Sequence, residues 1–275
     1  SPERRQCAWR ITSFGGEMSQ LRYQPEKVAV GTAYIYEKSN IDGSHKSDIV
    51  QYIASQDSLE AFKWTEGETE ATLVTATMDW GRFSVRELKS WKIRKDGQLT
   101  QVATLDQKDD SDQVVAVGKL RSHELKQTMT IESYPWHSYD FDFASLNITL
   151  PHYLDPLASF TFGIADLVTA GYPDPLRANS YQEQAPSFAF KGLVTVDFVS
   201  DEERHGAPCR KYGINGVGLE HRGGTIWIDK DALHIIDYEI DLPDEPGFKT
   251  GKLRLKQIHH MSAEAWNEFM LSKIE

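Results

Sequence analysis

Residues 210–255 read RKYGINGVGLEHRGGTIWIDKDALHIIDYEIDLPDEPGFKTGKLRL, four short strands joined by turns that carry Gly and Asp. In Thr225-Ile226-Trp227-Ile228-Asp229 apolar and polar residues alternate, and the alternation continues more loosely through Leu233, Ile235, Tyr238 and Ile240. A period of two sends successive side chains to opposite faces, so each strand can turn one face to a core and the other to water. The stretch therefore predicts an antiparallel meander.

The same texture recurs on both sides of it. Residues 28–37 (VAVGTAYIYE), 48–54, 59–65 and 70–80 read as strands, rich in Val, Thr and aromatic residues. Residues 83–94 and 99–105 flank Asp96-Gly97, a strong hairpin turn. Further strands are expected at 113–117, 128–134, 192–199 and 207–214, with an edge strand at 7–14 closed by Gly15-Gly16. Helical spacing appears twice. Phe143, Leu146, Ile148 and Leu150 cluster after Asp142, a residue suited to an N-cap, and Pro151 would stop that helix. At the other end Ser262 can cap AEAWNEFMLSKI, whose apolar stripe is Ala265, Trp266, Phe269 and Met270.

Between the strand-rich parts, the proline-bearing stretch 156–186 reads as irregular or shortly helical, which makes 140–190 a candidate insertion or lid. The expectation is a mainly β fold, a curved antiparallel sheet of about twelve strands forming a half-open barrel. One or two internal helices and a C-terminal helix complete it, in a single large β domain over 1–275 or with 1–130 as a unit of its own.

Composition narrows the function classes. The chain has 275 residues, 40% of them apolar, and no run approaches the roughly 20 apolar residues of a membrane-spanning helix. With 41 acidic residues against 30 basic ones, a net charge of −11, it lacks the clustered cationic surface that a phosphate backbone requires. No nucleic-acid partner is expected. The start at Ser1-Pro2-Glu3-Arg4-Arg5, without Met, is what removal of a signal peptide leaves, and equally what any other trimming leaves. Cys7 and Cys209 either pair, tying the N-terminal segment to the meander, or are two unrelated buried thiols.

The strong catalytic and phosphate-binding motifs are absent: there is no GxSxG, no GxxxxGK[ST], no HExxH and no CxxC. No metal and no cofactor are expected. The densest cluster of reactive side chains is Tyr134-Pro135-Trp136-His137-Ser138-Tyr139-Asp140-Phe141-Asp142. Here His137 could act as a general base oriented by Asp140 or Asp142, with Tyr134 or Tyr139 as proton donor, because a carboxylate fixes the imidazole tautomer and raises its basicity. The bland reading is an aromatic turn in which Asp142 caps the helix. Trp136, Tyr139, Trp227 and Trp91 are the candidates to line an apolar cavity, or else belong to the core.

Three stretches also carry a resemblance. YDFDFASLNITLP at 139–151, HGAPCRKY at 205–212, and GGTIWIDK at 223–230 followed by LPD at 242–244 are similar to a domain-of-unknown-function family of exported bacterial proteins. That family is thought to share the half-barrel of the periplasmic lipoprotein carriers. The resemblance implies an extracytoplasmic β protein, periplasmic or secreted, whose concave face holds a small hydrophobic or aromatic molecule; it implies no catalytic residues. The leading expectation is thus a binding or carrier protein, and the alternative a cofactor-independent lyase or isomerase working in the same cavity.

Overall fold

The computed structural model describes residues 18–108, 111–120, 123–168 and 187–275. The first half of the chain forms β1 (Thr32–Ser39), β2 (Ser47–Ile53), β3 (Ser58–Trp64), β4 (Glu70–Asp79), β5 (Ser84–Arg94), β6 (Leu99–Gln107), β7 (Gln113–Leu120) and β8 (His123–Thr130). The two-residue β9 (Trp136–His137) leads into the short helix α1 (Ala144–Thr149). Then come β10 (Phe160–Val168), β11 (Ser187–Arg204), β12 (Ala207–Asn215), β13 (Gly224–Asp229), β14 (Ile235–Ile240), β15 (Gly251–His260) and helix α2 (Ala263–Ser272).

Among the described residues, fifteen strands join one sheet in the order β8-β7-β6-β5-β4-β3-β2-β1-β15-β14-β13-β12-β11-β10-β9. Neighbours are antiparallel except β9 and β10, which run parallel. From β1 in the middle of the sheet the chain therefore meanders to one end, crosses through α1 and meanders back until β15 pairs with β1. This is the mainly β, curved-sheet fold expected from the alternation, with one internal helix and one terminal helix.

Parity along the strands decides what each face covers. Tyr34 and Tyr36 of β1, Ile49 and Ile53 of β2, and Ile226 and Ile228 of β13 all pack into the main apolar cluster, together with Leu146 and Ile148 of α1. The sheet thus wraps its inner face around α1, all six residues of which are buried. Intervening positions face outward. Ala33, Val50, Tyr52, Phe62 and Leu73 are covered by Trp266 and Met270 of α2. The Ser262 hydroxyl caps that helix by accepting the Ala265 N–H, as the sequence predicts.

One end of the sheet, β8, is tied to the start of β11 by a side chain. Gln127 of β8 donates its amide to the Phe188 carbonyl of β11 at 2.6 Å and accepts the Phe188 N–H at 2.8 Å, copying one rung of a strand ladder. In the opening meander, Gly223 and Gly224 are close-approach residues. A Cβ on either would run into a neighbouring strand's carbonyl, that of Ile214 for Gly223 and that of Glu239 for Gly224.

Two local expectations change. Residues 160–168 (FTFGIADLV) form β10 rather than irregular structure, because Pro151 and Pro156 precede that run without interrupting it, and Phe160, Phe162 and Ile164 all reach the core. Residues 169–186 of the same stretch lie outside the described residues. Asp142 does not cap α1. The N-cap is Phe143, with no side-chain cap bond, and both Asp142 (φ 52) and Phe143 (φ 51) are left-handed. Such conformations cost on the order of 1–3 kcal/mol each and persist where the surroundings hold them. Cys209 is buried, its thiol pushed up to about 11 by burial, while Cys7, with which it either pairs or does not, and the edge strand at 7–14 lie outside the described residues.

Candidate functional site

Inward parity brings charged residues, not only apolar ones, onto the inner face. Lys38 continues the Tyr34–Tyr36 series of β1, and Lys63 continues the Leu59–Ala61 series of β3. A buried ammonium needs carboxylates, and the left-handed pair before α1 delivers one of them. Lys38, with a fully buried side chain, sits 2.8 Å from Asp142 Oδ1, 2.6 Å from Asp244 Oδ2 and 3.1 Å from Glu245 Oε1. Lys63 lies 2.7 Å from Asp142 Oδ2 and 2.7 Å from Glu245 Oε1.

Burial alone would strip the Lys38 proton, but the charges of Asp142, Asp244 and Glu245 outweigh it and hold the ammonium well above its ordinary pKa. Among the carboxyls, burial raises Asp244 to about 7 despite Lys38, whereas Glu245 is held at about 2 because Lys63 and Lys38 overcome its burial.

A second carboxylate pair adjoins this cluster. Asp166 of β10 accepts the Ser138 hydroxyl at 2.6 Å and the N–H groups of Tyr139 and Asp140, both at 3.2 Å. Burial raises its pKa to about 6. Asp140 accepts the Leu167 N–H on Oδ2 at 3.1 Å, and burial, reinforced by the Asp166 and Asp244 charges, pushes it well above the carboxylate range.

Over these groups opens a cavity of about 680 Å³ between the inner faces of β3 to β6, β8 and the crossover. Its apolar wall includes Val74, Leu88, Leu105, Leu125, Leu167 and Phe188, and its floor Lys63, Ser138, Asp140, Phe141 and Glu245. The volume lies within the roughly 300–1,000 Å³ of small-molecule sites, and a mostly apolar wall with a few convergent polar groups is what such sites have.

Of the residues singled out from sequence, Asp140 lines this cavity. His137 has no exposed surface, its Nδ1 lies 2.9 Å from Ser145 Oγ, and its Nε2 has no partner among the described residues. The expected pairing with Asp140 or Asp142 is not formed, and burial drives the imidazole down to about 3, so it stays neutral at physiological pH. Tyr134 belongs to another group, its hydroxyl bonded to Gln107 and Asp112 and its ring under Arg82. The structure does not bring these three together as a base, orienting carboxylate and donor.

The aromatic candidates also sit elsewhere. Trp136 is buried, its backbone N–H donating to Ser84 Oγ at 2.8 Å, and Tyr139 is buried with its hydroxyl donating to the Leu242 carbonyl at 2.7 Å. Trp91 donates to Thr75 Oγ1 at 3.1 Å beside the outer cluster, and Trp227 lies on the outer face under Arg204, 4.0 Å from its guanidinium carbon. The reason is parity: Ile226 and Ile228 take the inward positions of β13, so Trp227 between them must point out.

Lys38, Lys63, Asp166, Asp244 and Glu245 were the residues missed. For the lysines the signal was present, a cation at inward parity in an otherwise apolar strand series, which is stable only with partners from elsewhere in the chain.

The buried imidazole makes a pH prediction. In the unfolded chain His137 titrates near its ordinary 6.5, and in the folded protein near 3. The unfolded state therefore binds more protons between these values, so this group's contribution to stability is lost as pH falls from 6.5 toward 3. His137→Gln, which keeps a polar partner for Ser145, is expected to flatten the acid decline of the urea midpoint over that window. An unchanged slope would show that the imidazole is not the acid-labile group.

Neither a family model nor a curated protein matches this sequence. Among solved structures, the chain is similar to the crystal structure of a beta-barrel-like protein of domain of unknown function DUF1849 from Brucella abortus. The two share 9% sequence identity with a TM-score of 0.43, over 83% of this chain and 97% of that one.

Proposed function

We propose that this chain is a binding or carrier protein that holds the apolar body of a small molecule in the half-barrel cavity, outside the cytoplasm. The observation that carries the reading is the cavity of about 680 Å³, walled by aliphatic side chains and floored by ionised and hydrogen-bonding groups. A core is packed to crystal-like density, so an open space of this size costs dispersion contacts unless something fills it. The cavity floor holds carboxyls and a lysine engaged with one another, and the one histidine of the 134–142 cluster is sealed away from it, which favours holding a molecule over transforming it. The extracytoplasmic placement rests on the resemblance of residues 139–151, 205–212 and 223–230 to an exported family.

Organic extraction of the purified protein followed by mass spectrometry is expected to release a co-purifying amphiphile. Leu88→Trp, which puts an indole into the cavity wall, is expected to reduce the recovered amount at least severalfold while the protein stays folded by circular dichroism. A protein that yields no extractable molecule, and whose thermal midpoint does not respond to any apolar compound offered, is not a carrier. Fractionation of cells expressing the full-length chain tests the compartment separately.

A further inference from the structure

Building on the carrier reading, we propose that the cavity selects an amphiphile whose head is a cationic amine, received by the carboxyl groups of Asp140 and Glu245 at its floor. The argument is first an inventory of hydrogen-bonding groups. An ammonium has three protons to donate. The Lys63 Nζ at the floor donates to Glu245 Oε1 at 2.7 Å and to the Asp140 carbonyl at 3.5 Å, and is paired in charge with Asp142 Oδ2 at 2.7 Å. Lys38 behind it is wholly buried among three carboxylates. Both cations are already balanced by protein carboxylates, which leaves little net positive charge to attract an anionic head. Acceptors do remain: among the described residues Asp140 Oδ1 and Glu245 Oε2 have no hydrogen-bond partner, and both side chains line the cavity.

Charge points the same way. The carboxyl groups of Asp140, Asp142, Asp166, Asp244 and Glu245 are gathered around Lys38 and Lys63, and the further cation acting on Asp140 and Asp166 among the described residues is Lys191 of β11. The acidic excess must be relieved by protons or by a bound cation. The groups facing Asp140 are Asp166 from β10, Asp244 and Glu245 from the loop between β14 and β15, Lys191 from β11 and Lys63 from β3. With Asp140 held well above its ordinary pKa by burial and by Asp166 and Asp244, an arriving ammonium displaces a proton, so binding tightens as pH rises. The competing anchor for an anion is Lys92 on the wall, which donates to Thr72 Oγ1 at 3.2 Å.

The test uses three matched probes, decylammonium, decanoate and decanol, titrated calorimetrically into the full chain in two buffers of different ionisation enthalpy. Decylammonium is expected to bind at least about tenfold more tightly than decanoate, with net proton release, and Asp140→Asn to lower the ratio of decylammonium to decanol affinity about tenfold. If Asp140→Asn does not fold, Glu245→Gln carries the same comparison. Decanoate binding as tightly as decylammonium, or equal affinities for all three, overturns the head-group inference and leaves the carrier reading standing. Binding of none of the three overturns both.

Discussion

Lys38→Met is expected to lower the stability of the fold by about 3–5 kcal/mol, the cost typical of removing one partner from a buried ionic cluster. The substitution keeps the volume of the side chain but leaves Asp142 and Asp244, both buried, without the cation that sits 2.8 and 2.6 Å away. Lys63 still reaches Asp142 and Glu245, so the stranded charge is chiefly that of Asp244.

That assignment has a pH signature. Asp244 already titrates at about 7 with Lys38 present, and loss of the cation raises it further. A carboxyl whose folded pKa exceeds its unfolded value holds more protons when folded, so its penalty grows as pH rises from about 4 through the folded pKa. The deficit of Lys38→Met should therefore be larger at pH 8 than at pH 5, and Asp244→Asn in the same background should recover most of the difference. Urea denaturation of the variants at both pH values measures it. A deficit below about 1 kcal/mol, or one independent of pH, would mean that water solvates the cluster and that its burial is not what constrains it.

Asn147→Leu is expected to cost about 2–5 kcal/mol, although the two side chains are similar in size. Asn147 projects from α1 into the middle of the inner face, where its Nδ2 donates to the Tyr36 hydroxyl and to Gln51 Oε1, both at 2.9 Å. Its Oδ1 accepts the Ile235 N–H at 2.8 Å. The Ile235 carbonyl takes the Tyr36 hydroxyl proton at 2.9 Å, so the helix completes the hydrogen bonding of the first residue of β14. Leucine would leave a buried N–H and a buried amide oxygen unpaired, each costing about 1–3 kcal/mol. Amide exchange at Ile235 reports the local loss, and protection there unchanged from wild type would refute the docking role.

The strands were legible because their signal is local. In β1 and β13 the face of every residue follows from its parity with its neighbours, and the meander follows from short turns such as Asp96-Gly97 between β5 and β6. Even the outward position of Trp227 was implied by Ile226 and Ile228, and assigning it to a cavity set residue type above parity. β10 was missed because its aromatic alternation borders proline-rich sequence, and the prolines were read as its character. For α1 the existence and position were legible, but not the left-handed Asp142-Phe143 pair, whose strain is accepted so that the Asp142 carboxylate faces two lysines instead of the helix terminus.

By itself, then, the sequence determined the class of fold, the direction in which most strand residues point and the capped terminal helix, all of which depend on neighbours a few positions apart. Only the tertiary structure decided that Lys38 meets Asp142 and Asp244 across 104 and 206 positions, that His137 is shut in against Ser145, and that Asp140 is the member of its cluster that looks into the cavity. The physical reason is range. Periodicity is written into the backbone one peptide at a time, whereas a buried charge finds its partner only after the sheet has curled and α1 has been laid inside it.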